Sequence, residues 1–154
     1  MHPLTPLRTL SLIRLAIRQA VRSECRHRVG AVLAAGSRVI AAAPNRQRNS
    51  PFIDYQNSTF HAEVAALRRA RGAPATVVFV ARVNAALVPM LARPCPACVR
   101  TLSLAGVAKA YYTSGPSTIG VLTLPYQTPG QPRIAKKPRD VCESEEVMPC
   151  LVSP

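Results

Sequence analysis

Tryptophan is absent from this 154-residue chain, and aromatic residues make up only 5% of it. A core held together by large rings is therefore excluded. Hydrophobic residues still reach 48%, so the interior must be built from Ala, Val, Leu and Ile. Acidic residues are scarce as well, seven against twenty basic ones, for a net charge of +13. That balance favours polyanions as partners: phosphorylated substrates, nucleic acid or an anionic surface. It is equally what Arg-rich, Ala-rich, Pro-rich usage produces with no partner in view. No apolar run approaches the roughly 20 residues of a membrane helix, so no membrane role is expected. Internal repeats are missing. No secretory signal pattern is present, and Cys25, Cys95, Cys98, Cys142 and Cys150 form an odd set, unlike a disulfide framework. A reducing, cytoplasmic setting is the expectation.

What is present organises well. The segment PLRTLSLIRLAIRQAVRS has its first acidic neighbour at Glu24 and shares the composition of a transit peptide. Leu10, Ile13, Ile17 and Ala20 nevertheless fall on one helical face, and Arg14, Arg18 and Arg22 on another. The reading adopted is a helix over about 6–24 that runs straight into core strands. RVGAVLAA (28–35) and RVIAAAPN (38–45) flank a Gly36-Ser37 turn and read as a hairpin. Residues 44–59 are polar and Pro/Asn-rich, a long loop of the kind that carries function. Ser58 or Thr59 caps a second helix over about 60–71, which stops at Gly72. A buried strand follows at 75–82, then a helix from near Cys95 to near Gly106, then a strand at 107–114. This alternation predicts an α/β fold with a partly parallel sheet. The connection 114–120 is too short for another crossover helix, so VLTLPY folds back antiparallel. A domain over 1–125 is expected, followed by a Pro-rich, charged tail over 126–154 without a core of its own.

Two short motifs carry the chemistry. In PCPAC, Cys95 and Cys98 stand three apart at a helix start, where their sulfurs share a side. Unpaired N–H groups and the partial positive charge of that terminus favour thiolates, the form that binds zinc. Pro94 and Pro96 suit the first turn. Two sulfurs are too few for a zinc site. His61, at the head of the preceding helix, supplies a third ligand and leaves the fourth position open, the catalytic pattern. Glu63, two residues on, reaches the open position without ligating and suits a general base and acid. Two alternatives stand beside this. A redox Cys-x-x-Cys leaves His61 and Glu63 without a use. A structural zinc site needs a fourth ligand, for which Cys25, Cys142 and Cys150 lack convincing spacing.

HAE followed by PCPAC matches the His-x-Glu…Pro-Cys-x-x-Cys pattern of zinc-dependent base deaminases. From the first helix to about Ser114 the chain resembles the cytidine and deoxycytidylate deaminase superfamily. RPCPACVRTLSLAGVAKAYY is closest to the deoxycytidylate branch. The resemblance implies a three-layer α/β/α sandwich around a five-stranded mixed sheet, its last strand antiparallel. It implies a Zn2+ cofactor held by His61, Cys95 and Cys98, with Glu63 catalytic. The implied reaction is hydrolytic deamination of cytosine to uracil and ammonia, on a mononucleotide such as dCMP. The alternative is a base within single-stranded DNA or RNA, for which the charge argues. It further implies that the Ala62 backbone N–H helps bind the base and that Asn45 contacts the sugar. Arg46 and Arg48 follow Asn45 and are expected at a phosphate. Arg46 stands where the deoxycytidylate pattern has Gly. Tyr112, late in its strand, is expected at the pocket rim, with packing the alternative. Relatives commonly assemble, so a homo-oligomer acting on a small nucleotide or nucleoside is expected.

Overall fold

The computed structural model describes residues 5–47, 59–125 and 148–149. Its elements in order are α1 (Pro6–Val21), β1 (Arg28–Ala35), β2 (Arg38–Pro44), β3 (Arg46–Gln47), β4 (Thr59–Phe60), α2 (Ala62–Ala70), β5 (Val77–Val83), β6 (Pro89–Met90), α3 (Pro96–Leu104), β7 (Lys109–Gly115), β8 (Thr118–Thr123) and β9 (Met148–Pro149). The main sheet runs β2-β1-β5-β7-β8-β9, with β6 hydrogen-bonded to β5. β5 and β7 are parallel, joined through α3, and every other pairing is antiparallel. Five long strands are present as expected, and β8 does fold back antiparallel on β7, but it begins at Thr118 rather than Val121 because the connection is only the two residues 116–117.

Strand parity makes the layers. On β5, Val77, Phe79 and Ala81 face α1, joined by Val32, Ala34, Leu12, Ile13 and Ala16. The alternate residues Val78 and Val80 face α2 and α3, with Ala31, Leu33, Ala62, Ala66, Leu102 and Val107. An aliphatic, Ala-rich interior permits close approach. A Cβ on Gly30 would lie 2.2 Å from the Ala16 carbonyl oxygen and 2.3 Å from the Ala20 nitrogen. So β1 and α1 meet at backbone distance, which no other residue type allows there.

The helix termini follow local rules. Pro6 and Pro96 sit in the first turns of α1 and α3. α2 ends as Arg71 turns left-handed (φ 49°) ahead of Gly72 (φ 81°). α1 stops at Val21, three residues short of the expected end. The N-cap of α2 is His61, not Ser58 or Thr59. Thr59 and Phe60 instead pair with Gln47 and Arg46 in a small two-stranded sheet, a long-range contact that outcompetes a local cap. Of the expected loop, residues 48–58 lie outside the described residues, as does the expected tail apart from Met148–Pro149, which pairs with Ile119 and Thr118 of β8. Among the described residues no helix is long and apolar enough to cross a membrane.

Candidate metal centre and cleft

α2 and α3 lie on the same face of the sheet, and their first residues meet beyond the carboxyl end of β5. His61 caps α2 and Cys95 caps α3, while Cys98 lies in the first turn of α3. The His61 Nδ1 atom is 3.2 Å from Cys98 Sγ and 3.6 Å from Cys95 Sγ. The three ligand atoms lie within 4.8 Å of one another. Zinc bonds of about 2.0 Å to nitrogen and 2.3 Å to sulfur at tetrahedral angles separate N from S by about 3.6 Å. The donor set therefore fits zinc, through Nδ1 of the histidine. Both cysteines are free thiols, and among the described residues the group has three members. That is the ligand count of a site with an open position. Cys25 is buried elsewhere, and Cys142 and Cys150 lie outside the described residues.

Electrostatics point the same way. Glu63 is only 4% exposed. Burial pushes its carboxyl above the usual carboxylate range, opposed by its own backbone N–H, by His61 and by a hydrogen bond with Cys98. Burial also pushes the Cys98 thiol up, reinforced by the charges of Glu63 and Cys95. Anionic groups crowded this closely disfavour one another's charged forms, and a divalent cation between the sulfurs reverses that cost.

The centre opens into a cleft of about 290 Å³. His61, Ala62, Glu63 and Cys95 line it together with Val29, Val80, His27, Asn45, Arg82, Leu91, Ala92 and Arg93. Asn45 is buried and heavily committed. Its Oδ1 accepts from Ser23 Oγ (2.5 Å) and Val29 N (2.9 Å), and its Nδ2 donates to the His27 carbonyl (2.7 Å). One Nδ2 hydrogen is left for a ligand.

The remaining expected contacts fare differently. Arg46 is exposed on β3 and does not line the cleft, and Arg48 lies outside the described residues. Tyr112 is not at the rim. It is 3% exposed in the core, and its ring fills the space where a Cβ on Gly120 would sit. Tyr111 stacks on Phe79 with ring centroids 5.2 Å apart. Conversely, His27, Arg82 and Arg93 escaped the sequence argument. A signal existed for Arg82, which shares the inward parity of Val78 and Val80 in an otherwise apolar strand.

Comparison with known proteins bears on this arrangement. The family model of the cytidine and deoxycytidylate deaminase zinc-binding region matches residues 8–114. The chain is similar in structure to the cytidine deaminase of Burkholderia pseudomallei, with TM-score 0.56 and 20% identity over 75% of this chain and 91% of that one. It is also similar to the apo dCMP deaminase of cyanophage S-TIM5, with TM-score 0.54 and 22% identity over 71% and 84% of the two chains. The same phage enzyme solved in complex with dCMP and dUMP gives 0.53 and 21%, over 71% and 83%. These likenesses concern the fold. No curated protein matches the chain.

Proposed function

The chain belongs to the cytidine and deoxycytidylate deaminase family, a family of zinc-dependent deaminases, and on that premise we propose that it deaminates the cytosine of a mononucleotide such as dCMP. The observation that carries this reading is the polarity of the cleft. The imidazole of His61, the thiol of Cys95 and Glu63 line it together with the arginines Arg82 and Arg93. A base with an anionic group beyond its sugar suits those two characters.

His61, Cys95 and Cys98 hold the metal, which when bound supplies Lewis acidity that makes water a nucleophile near neutral pH. Glu63 takes a proton from the water that adds to C4 of the base. It delivers that proton to N3, then takes the proton of the hydroxyl formed on C4 and passes it to the amino nitrogen, so that the C4–N bond breaks and uracil and ammonia result. Its burial suits this shuttling, because a carboxyl raised toward neutrality both accepts and returns a proton. The Ala62 N–H, in the first turn of α2, has no helical partner and is a donor for the base. The buried amide of Asn45 faces the sugar.

A base within single-stranded nucleic acid is the second reading, motivated by the +13 charge. Arg14, Arg18 and Arg22 are indeed exposed, but α1 covers the sheet face opposite α2 and α3, away from the cleft. The test is turnover of dCMP, CMP, deoxycytidine and a cytosine-containing oligonucleotide, followed by mass spectrometry at low salt. The mononucleotide reading expects dCMP to exceed deoxycytidine in kcat/KM. Equal values, or conversion of the oligonucleotide alone, refute it.

A further inference from the structure

We propose that Arg82 and His27 form an anion subsite in the cleft, where they take a phosphate group of the substrate. The role expected for Arg46 and Arg48 thus passes to a residue of β5 and to the residue just before β1. The proposal deepens the nucleotide reading and rests on it for the identity of the ligand.

β5 brings Arg82 there. Its side chain follows Val78 and Val80 on the face that α2 and α3 cover, one step beyond the helices, at the strand's carboxyl end. That is where an α/β sheet opens to ligands. β1 runs antiparallel beside it, with Val29 paired to Arg82, so the residue just before β1, His27, arrives at the same place. Arg82 Nη2 lies 3.2 Å from His27 Nδ1. A guanidinium only donates, so Nδ1 accepts and Nε2 carries the ring proton. His27 therefore adds a donor rather than a countercharge. Asn45 fixes the His27 carbonyl from the other side at 2.7 Å, which holds this corner in place.

The charge of Arg82 is uncompensated. Among the described residues no carboxylate pairs with it, and its Nε is buried without a partner. Burying part of a guanidinium this way is costly unless an anion completes the arrangement. Arg93 lines the same cleft, and among the described residues the one acidic side chain there is Glu63, two residues from His61. The planar fork of arginine matches two oxygens of a phosphate. A nucleotide held with its base at Glu63 presents that group on the far side of its sugar.

The experiment measures binding of dUMP, deoxyuridine, a deoxyuridine-containing trinucleotide and inorganic phosphate to the zinc-loaded full chain. Arg82→Gln, His27→Gln and Arg46→Gln are compared with the parent, with circular dichroism as the check on folding. Arg82→Gln is expected to weaken dUMP about tenfold or more, while deoxyuridine changes less than about twofold. His27→Gln should show the same selectivity at smaller size, and serves if Arg82→Gln does not fold. Equal losses for dUMP and deoxyuridine overturn the proposal. So does a loss for dUMP in Arg46→Gln but not in Arg82→Gln. If the trinucleotide weakens and dUMP does not, the phosphate is an internucleotide one: the subsite stands and the mononucleotide reading falls. Inorganic phosphate has no base, so its Arg82-dependent binding in a chain that does not turn over cytosine likewise supports the subsite alone.

Discussion

The contact between Gly30 and α1 allows a prediction worked from distances. In Gly30→Ala the new Cβ would meet the Ala16 oxygen at 2.2 Å, the Ala20 nitrogen at 2.3 Å and the Gln19 Cβ at 2.7 Å, where ordinary contact begins at 3.4 Å. Two of these are backbone atoms of a regular helix, which cannot rotate away. β1 cannot retreat either, because it is hydrogen-bonded to β2 on one side and β5 on the other. α1 must therefore lift by roughly 1 Å, a gap that forfeits a quarter to a half of the dispersion energy across that layer. The layer contains Leu12, Ile13 and Ala16 against Val32, Ala34 and Phe79. The expected loss is about 3 kcal/mol, the upper end for overpacking, out of a total of roughly 5–15. Urea unfolding of the zinc-loaded chain, followed by far-ultraviolet circular dichroism, should show the midpoint falling by about 1–2 M at unchanged slope. A midpoint within about 0.3 M of the parent would show that α1 is not seated on Gly30.

Glu63→Gln should keep its zinc by metal analysis and lose about 10²- to 10⁴-fold in kcat, since the amide cannot shuttle a proton; retention of more than a tenth of the rate contradicts that role. Stripping zinc with a chelator should lower stability by about 2–3 kcal/mol relative to protein with free zinc near 100 times its Kd. Calorimetry checks this, and magnesium, which prefers oxygen ligands, should not restore the lost stability. Arg71→Gly should gain about 0.5–1 kcal/mol and raise Tm by about 2 °C. The left-handed φ of 49° burdens any side chain there, and that relief exceeds the entropy glycine adds to the unfolded chain. An unchanged or lower Tm would refute that account.

The metal set was legible because its information is local. A three-residue cysteine spacing at a helix start and a His-x-Glu on the preceding helix are short patterns, and a zinc site with an open position uses both at once. The layers were legible because β5 and β1 alternate between two apolar faces. What stayed hidden depends on partners distant in sequence. The cap of α2 could not be assigned without knowing that Thr59 and Phe60 pair with Gln47 and Arg46. Tyr112 looked available until Gly120 on the adjacent strand supplied a space for its ring. Asn45 was picked out as a sugar contact, yet most of its hydrogen-bonding capacity ties Ser23, His27 and Val29 together. Arg82 and His27 are 55 positions apart and meet only once β1 and β5 are in register.

The return of Met148–Pro149 to the sheet matters for how the molecule coexists with its own copies. β8 would otherwise be the margin of the sheet, and margins with unclaimed amides and carbonyls recruit strands from other chains. Among the described residues, Thr118 and Ile119 are the ones sealed in this way. Trimming the chain ahead of Met148 would bare the amides and carbonyls of Thr118 and Ile119 that this pairing occupies. Catalysis and dispersal in solution are thus entrusted to opposite stretches of the same polypeptide.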